Sequence, residues 1–333
     1  MPLELTTVAD DAATFHEGVH VDQLDGLAPD TEYEHRGVAF RTLVRPSGVL
    51  RSRFATVNDV HFGEEEAGRI DDRPDGPIKR PPPGAPPFPE TMNRAAVAEL
   101  AAADLAAVIV KGDLTSDGTD AEFAAFEQCY RQPFGDRLHV VRGNHDAHRG
   151  QEEYAGDQWI ELPGVAVALL DTAIPFSATG HLTAAQMDWL DAGAAASTVP
   201  VIVMGHHQQW ITGRRSPEYF GIDPDASDAL SEVMLRRPAL IAYTAGHTHR
   251  HRVRWIDGRI PSIEVGCVKD FPGTWAEYRV YDGGVLQVVH RVSSPEALAW
   301  SEECRVLYSD FGVDYAAYAM GTLADRCFAI SFR

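Results

Sequence analysis

Residues 138–146 read LHVVRGNHD, a short apolar run that leads directly into a cluster of polar residues. The run Leu138–Val141 is typical of a buried strand, and the polar cluster at 143–146 begins where such a strand ends. Open α/β sheets bind their ligands just beyond the carboxyl ends of their strands. The stretch therefore predicts an α/β sheet with a ligand site at its edge.

Four further polar clusters follow short apolar runs elsewhere in the chain. They are Asp59-Val60-His61, Gly112-Asp113, Gly205-His206-His207 and Gly246-His247-Thr248-His249. A single cluster of this kind is usually a structural turn, whereas five in one chain, each after a predicted strand, are far more specific. Together they supply carboxylates, an amide and several imidazoles, which suit a pair of divalent metal ions.

The spacing within the clusters indicates how two ions are held. Asp59 and His61 can face the same ion, because residues i and i+2 of a strand end share a face. Asp113 follows a glycine that lets the backbone turn closely, which suits a bridging carboxylate. Asn144 offers an uncharged amide oxygen. The sequence thus predicts a dinuclear centre, and this donor set accepts Mn, Fe or Zn without selecting one of them.

The wider pattern predicts the fold class. From Phe54 onward, predicted strands alternate with helices, and the later part of the chain, up to Val289, has strands without long helices between them. An α/β half followed by a β-rich half predicts two packed sheets with helices on their outer faces.

Three segments are expected along the chain. We predict an N-terminal β lead-in or small β subdomain at 1–50, a catalytic domain at 51–294 and a helical tail at 295–333. Residues 64–91 are predicted to be a long Pro-rich loop, which is either a disordered linker or an ordered rim of the active site. The tail is rich in aromatic residues, so we expect it to dock on the core or on an oligomeric partner rather than on a ligand.

The formal net charge of -20 excludes some classes of partner. Such a surface repels polyanions, so long nucleic acids and anionic membranes are poor partners. No segment approaches the roughly 20 apolar residues of a membrane span. The first residues lack the positive charge and apolar core of a signal peptide. We therefore expect a cytoplasmic protein that acts on a small substrate.

The five clusters resemble the motifs of the calcineurin-like metallophosphoesterase superfamily, which read D-x-H, GD, GNH[DE], GH and GHxH. The resemblance covers about residues 54–289. It implies a four-layer αββα fold of two packed mixed sheets with flanking helices. The ligands that it implies are Asp59, His61, Asp113 and His249 for one ion and Asp113, Asn144, His206 and His247 for the other.

The resemblance also implies roles for the neighbouring residues. His145 faces the substrate phosphate and acts as a general acid or electrostatic stabiliser, and Asp146 orients it. Asn144 and His207 are further predicted substrate contacts, although structural packing is an equal alternative for His207. The expected mechanism is attack of a metal-bound hydroxide on phosphorus.

Variable positions favour one branch of the superfamily. Residues 112–118 read GDLTSDG, with Ser116 where purple acid phosphatases have Tyr and without the Arg of Ser/Thr protein phosphatases. This block and Gly180-His181-Leu182 look most like the class III cyclic nucleotide phosphodiesterases, a group that also includes glycerophosphodiesterases. We predict a phosphodiesterase for small diesters. The alternatives are a phosphomonoesterase of the same fold and a non-catalytic metal-binding scaffold, which the complete ligand set disfavours.

Overall fold

A computed structural model of the protein describes residues 2–69, 78–211 and 220–332. The strands of the described residues are β1 Glu4–Val8, β2 Ala12–Glu17, β3 His20–Asp25, β4 Glu32–His35, β5 Val38–Arg41, β6 Leu50–Val57, β7 Ala107–Lys111, β8 Leu138–Val141, β9 Gln158–Leu162, β10 Val165–Leu169, β11 Val201–Met204, β12 Leu240–Ala245, β13 Arg252–Ile256, β14 Ile260–Glu264, β15 Thr274–Tyr281, β16 Gly284–Arg291 and β17 Phe328–Ser331. The α-helices are α1 Phe88–Ala102, α2 Asp120–Phe134, α3 Ala184–Ala196, α4 Pro224–Arg236, α5 Pro295–Cys304, α6 Tyr315–Met320 and α7 Leu323–Arg326.

Two six-stranded mixed sheets form the centre of the molecule. One has the strand order β13-β14-β12-β11-β10-β9, and the other has the order β17-β16-β15-β6-β7-β8. Their inner faces share one apolar core, with Phe54, Ile109 and Tyr278 on one side and Val167 and Ile202 on the other. Burial of these side chains between the sheets removes apolar surface from water and stabilises the sandwich.

Helices cover the outer face of each sheet. Met92 of α1, Phe126 of α2 and Leu298 of α5 belong to the core outside the sheet that contains β6. Leu190 of α3 and Leu230 of α4 belong to the core outside the sheet that contains β12. The layers run helix, sheet, sheet, helix, so the predicted αββα fold class is confirmed.

Local chemistry explains where two of the helices begin. The Thr183 hydroxyl accepts the backbone N–H of Gln186 at 3.2 Å, and the Gln186 side chain accepts the backbone N–H of Thr183 at 2.9 Å. This capping box starts α3 at Ala184. Helix α4 was not predicted, although Asp223 caps it with its carboxylate.

Among the described residues, no helix is both long and apolar enough to cross a membrane.

The predicted Pro-rich loop at 64–91 is shorter than expected at its end. Helix α1 begins at Phe88, inside that range, because Pro89 is tolerated in a first helical turn whose N–H groups have no helical partner. The Phe88 ring stacks on Trp300 of the tail with 4.6 Å between ring centroids, which attaches α5 to the core. Residues 70–77 of the predicted loop lie outside the described residues.

Both ends of the chain pack against strand β16. Strands β1, β2 and β3 form their own small antiparallel sheet, and β4 and β5 form a hairpin. The Thr7 hydroxyl donates a hydrogen bond of 2.7 Å to the Val289 carbonyl of β16. The tail contributes three α-helices and also β17, an unpredicted strand that pairs antiparallel with β16. Arg326 of the tail donates from Nε to the Thr6 carbonyl at 3.0 Å, so the two termini also contact each other.

Parallel strands bring the predicted clusters to one place. Strands β6, β7 and β8 are parallel neighbours in one sheet, and β11 and β12 are parallel neighbours in the other. One cluster follows each of these five strands. Because carboxyl ends of parallel strands share an edge, the clusters meet between the two sheets. Each cluster brings one predicted ligand or more to this place, among them Asp59, Asp113, Asn144, His206 and His247.

Candidate metal centre

Asp113 lies in the middle of the site. Its Oδ2 is 3.5 Å from Nε2 of His61 and 3.3 Å from Nε2 of His206. Its Oδ1 accepts the backbone N–H of His145 at 2.9 Å. Gly112 before it has a φ of +83°, and a Cβ there would lie 2.5 Å from the His206 ring, so this close approach requires glycine. The same oxygen, Oδ2, thus lies near the imidazoles of both His61 and His206, a position that suits a bridging ligand.

The first group of predicted ligands consists of Asp59, His61 and His249. Their ligand atoms lie within 4.8 Å of one another, and Nε2 of His249 is 3.5 Å from Oδ1 of Asp59. Asp59 is also held by Asn58, whose Nδ2 donates to its Oδ2 at 2.6 Å. Neither ring nitrogen of the buried His61 has a hydrogen-bond partner among the described residues. A buried polar atom without a partner is costly, and a metal ion at this place would provide one.

The second group consists of Asn144, His206 and His247. His206 Nε2 is 3.0 Å from Asn144 Oδ1 and 3.2 Å from His247 Nδ1. On their other sides, His206 Nδ1 donates to the Lys111 carbonyl at 2.9 Å and His247 Nε2 donates to the Phe220 carbonyl at 3.0 Å. Each carbonyl fixes the ring proton on the nitrogen that faces away from the site. The inner nitrogens are then the ones that a metal ion can bind.

The buried carboxylates make this centre attract positive charge. Burial alone lowers the pKa of His206, but the carboxylates of Asp113 and Asp59 outweigh burial and raise that pKa to about 9. Burial raises the pKa of Asp59, but the His249 and His206 rings outweigh it, so the net shift is downward. Burial and the neighbouring His206 lower the pKa of His247 to about 3. The donor set therefore fits divalent ions, which supply positive charge without a proton.

Five of the seven predicted ligands have a left-handed backbone. Their φ angles lie between +48° and +68°, and the residues are Asp59, His61, Asp113, His247 and His249. This conformation is unfavourable for residues with a Cβ and costs on the order of 1–3 kcal/mol at each position. The loops thereby turn sharply after each strand, and their side chains converge on one point.

His145 lies beside the first group of predicted ligands and beside Asp113, the predicted bridging ligand. One of its ring nitrogens and ligand atoms of His61 and Asp113 all lie within 4.8 Å of one another. Nδ1 of His145 donates to the Ser116 carbonyl at 2.7 Å. Because that carbonyl fixes the proton on Nδ1, Nε2 is the nitrogen that can give or take a proton.

Backbone N–H groups hold the carboxylate of Asp146. Its carboxylate accepts the backbone N–H of Leu114 at 3.0 Å, of Thr115 at 2.9 Å and of Gly143 at 2.7 Å. It is fully buried, and burial together with the Asp113 charge raises its pKa to about 6. The Thr115 hydroxyl also donates to it, so these contacts account for a structural role, and the catalytic role of Asp146 stays a prediction. Asp146 positions the loop that carries Asp113.

His207 lies next to the second group of ligands. Its ring centroid is 4.6 Å from that of His247, and its Nδ1 is 2.8 Å from the Thr172 hydroxyl. Gly180 packs directly on the ring, since a Cβ there would lie 2.5 Å from it. These contacts account for a packing role, and the substrate contact of His207 stays a prediction.

Three residues at the edge of the site were not predicted. Glu64 Oε2 lies 3.6 Å from His61 Nδ1, and Lys269 forms an ion pair with the same oxygen. The Phe220 ring lies 5.0 Å from the His247 ring. The sequence gives one indication of these residues in its composition, because Lys269 is one of only three lysines in the chain.

Comparison with known proteins identifies the family. Residues 52–251 match the family described as calcineurin-like phosphoesterase. The chain belongs to this family. The predicted superfamily is thereby confirmed, and so, at the level of the family, is the predicted class of metal-dependent phosphoric ester hydrolase. Members of the calcineurin-like phosphoesterase family use a dinuclear metal centre.

Two similar proteins illustrate how far this relationship extends. A probable cyclic nucleotide phosphodiesterase from Synechococcus sp. is 25% identical over 166 residues, which are 48% of this chain and 63% of that protein. The chain thus matches less than two thirds of that relative's length. The crystal structure of a dimetal phosphatase from Danio rerio has a TM-score of 0.55 and 15% identity, covering 73% of this chain and 98% of that chain. This second similarity concerns the fold alone.

Proposed function

We propose that the chain is a dinuclear metal-dependent phosphodiesterase that hydrolyses small diesters of the cyclic nucleotide or glycerophosphodiester type. The observation that carries the proposal is the position of Asp113, whose Oδ2 lies 3.5 Å from His61 and 3.3 Å from His206. One carboxylate therefore connects the two groups of ligands. In this proposal one ion takes Asp59, His61, Asp113 and His249, and the other takes Asp113, Asn144, His206 and His247.

Bound metal ions supply the positive charge that activates water and neutralises the phosphoryl oxygens. The chain contributes proton transfer and orientation. With Nδ1 donating to the Ser116 carbonyl, His145 in its protonated form gives the proton on Nε2 to the leaving oxygen, and the proton that the attacking water loses returns to Nε2. Water is added across one P–O bond, so phosphorus receives the hydroxyl and the released alcohol receives the proton. Asn144 and His207 are the further proposed substrate contacts.

The preference for diesters rests on sequence similarity. The Synechococcus relative is named a probable cyclic nucleotide phosphodiesterase, and it shares 25% identity over 166 residues. The GDLTSDG block at 112–118 points to the same branch. A small substrate agrees with the net charge of -20, which repels long polyanions.

An assay with two substrates tests this function. Protein loaded with Mn²⁺ is given bis(p-nitrophenyl) phosphate and p-nitrophenyl phosphate, and bound metal is measured by elemental analysis on the same sample. We expect two ions per chain and a higher kcat/KM on the diester. A higher value on the monoester would instead favour a phosphomonoesterase. No bound metal and no turnover would favour a non-catalytic scaffold.

Ligand variants separate the metal centre from a contaminating activity. Asn144→Ala and His206→Ala each remove a proposed ligand, so both should abolish turnover. His139→Ala is the matched control for the histidine, because His139 lies on β8 outside the clusters. Undiminished wild-type activity after complete chelation would contradict the dinuclear mechanism.

We propose Mn, Fe or Zn as the bound ions and a cytoplasmic location. We also propose residues 51–294 as the catalytic domain, with 1–50 as a β segment and 295–333 as the C-terminal tail. Elemental analysis of protein purified without added metal tests the first of these, and fractionation of cells that express the chain tests the location.

A further inference from the structure

Glu64 and Lys269 form an ion pair beside His61. Lys269 Nζ contacts Glu64 Oε2, and only 5% of the Lys269 residue is exposed. The same carboxylate oxygen lies 3.6 Å from Nδ1 of His61. The three side chains thus form a row that ends at the proposed metal site.

The pair is expensive to bury, so its position needs an explanation. Two charges lose hydration when they are buried, and their mutual attraction does not always offset that loss. Burial lowers the pKa of Lys269, but the charges of Glu64 and Asp270 outweigh burial and raise it, so the lysine stays a cation. Only three lysines occur among 29 basic residues, and one of them occupies this place.

We propose that Glu64, held by Lys269, is the outer carboxylate partner of His61 and sets the affinity of the ion bound by Asp59, His61 and His249. The inference rests on the proposed metal centre. A histidine ligand is oriented by the group that accepts the proton of its second nitrogen. His61 Nε2 faces Asp113, so Nδ1 is the nitrogen that turns to Glu64. A small movement of the Glu64 side chain converts the 3.6 Å contact into a hydrogen bond.

Lys269 has a second effect in this arrangement. A free carboxylate so close to the centre would compete to become a metal ligand itself. The ammonium group neutralises Glu64 and keeps its oxygen at the distance of an outer partner. Lys269 is therefore a positioning residue that acts through Glu64.

The two halves of the centre differ in this respect. His206 and His247 donate their outer protons to the backbone carbonyls of Lys111 and Phe220. His61 instead faces a charged side chain, Glu64. A substitution at Glu64 should therefore affect one ion and leave the other unchanged.

Metal titration of the full chain tests the proposal. Zn²⁺ is titrated in competition with a chromogenic chelator into wild type, Glu64→Gln and Glu65→Gln. Glu65 is the matched control, because it is the exposed neighbour of Glu64. We expect Glu64→Gln to weaken one of the two ions about 10- to 100-fold, the usual effect of losing an outer partner. Unchanged affinity in Glu64→Gln would overturn the proposal.

A double-variant cycle tests whether Lys269 acts through Glu64. Lys269→Met should weaken the same ion, and it should add nothing further in the Glu64→Gln background. If Lys269→Met changes the affinity equally in both backgrounds, the lysine acts as an independent charge and the proposal is wrong. Thermal melting of the metal-free variants detects a merely structural role. A large loss of melting temperature with weaker binding of both ions would also contradict the proposal. Glu64→Asp, which keeps the charge, should retain part of the affinity.

The design separates this inference from the proposed function. If wild type and Glu65→Gln bind no metal, the dinuclear centre itself fails. If both bind two ions and hydrolyse the diester while Glu64→Gln behaves identically, only the role of Glu64 fails.

Discussion

The backbone N–H of His145 donates a hydrogen bond of 2.9 Å to Oδ1 of Asp113. The residue proposed to bridge the ions therefore also fixes the residue proposed to protonate the leaving group. Oδ2 of the same carboxylate faces His61 and His206, so one side chain relates the proton donor to both halves of the centre.

Replacement of His145 should impair chemistry without removing metal. We expect His145→Gln to lower kcat on the diester by about 10²- to 10⁴-fold, the usual range for a lost general acid or base. Elemental analysis should find two ions per chain, as in wild type. His139→Gln is the matched control. Loss of metal from His145→Gln would show that His145 acts as a ligand instead.

Replacement of Asp146 should destabilise the loop that carries Asp113. In Asp146→Asn, the side chain places an amide N–H group toward backbone N–H groups whose acceptor in wild type is a carboxylate oxygen. We expect a loss of about 1 to 3 kcal/mol in the free energy of unfolding for each N–H left unpaired. Urea unfolding of the metal-free protein measures this, with the exposed Asp136→Asn as control. Wild-type stability with impaired kcat would instead support the predicted catalytic role of Asp146.

Removal of metal should lower thermal stability. The buried carboxylates of Asp59 and Asp113 lie in one cluster and repel each other without cations. Ions that bind only the folded state stabilise it by about 2.7 kcal/mol per site at 100 times the dissociation constant. Calorimetry at increasing Mn²⁺ should therefore show a rising melting temperature, and Asp113→Asn should lose most of the rise. An unchanged melting temperature would argue against ion binding.

The stability of the fold should fall in mild acid partly because of His16. Its ring is buried in β2, with Nδ1 2.7 Å from the Thr6 hydroxyl. Burial, together with the nearby Arg291, lowers its pKa from 6.5 to about 4. Between these values the unfolded chain binds a proton that the folded chain does not, so this stabilisation is complete above pH 6.5 and is lost toward pH 4.

A substitution isolates that contribution from those of the many carboxylates. Urea unfolding of metal-free His16→Gln at pH 7 and pH 5 should show a smaller loss of unfolding free energy than wild type. His20→Gln, which replaces an exposed histidine of β3, should resemble wild type. Equal losses in all three proteins would refute the assignment to His16.

Phe220 should influence which diesters are preferred. Phe220 is 46% exposed, and its ring centroid lies 5.0 Å from that of the proposed ligand His247. Stacking of an aromatic side chain on a nucleobase contributes about 1–3 kcal/mol. We expect Phe220→Ala to lower kcat/KM for a cyclic nucleotide about 5- to 100-fold more than for a glycerophosphodiester, because only the nucleotide has a base that loses this stacking energy. Phe311→Ala, at 47% exposure, is the control, and an equal loss on both substrates would contradict the stacking role.

The central sheets and their clusters were predictable because buried parallel strands leave continuous apolar runs. Strands β7 and β11 are buried along their whole length, and the polar residues after them stand out. Strand β9 and helix α4 were missed. Strand β9 is only partly buried and has a mixed sequence, so no clear period marks it.

Within the site, sequence reasoning found which residues converge but not how each one is used. Asp146 lies in the same motif as His145, but the motif does not indicate that its carboxylate accepts backbone N–H groups of residues 114, 115 and 143. Glu64 and Lys269 are 205 residues apart, so no local pattern connects them. Their contact depends on how the loop before β15 packs against the loop after β6.

The left-handed backbone at Asp59, His61, Asp113, His247 and His249 has a consequence for engineering. Glycine would relax the backbone at each of these positions, yet it would delete a proposed ligand. Efforts to make this protein more heat-resistant should therefore look away from the ends of β6, β7 and β12. The conformational cost of the left-handed backbone at these positions cannot be removed without losing a proposed metal ligand.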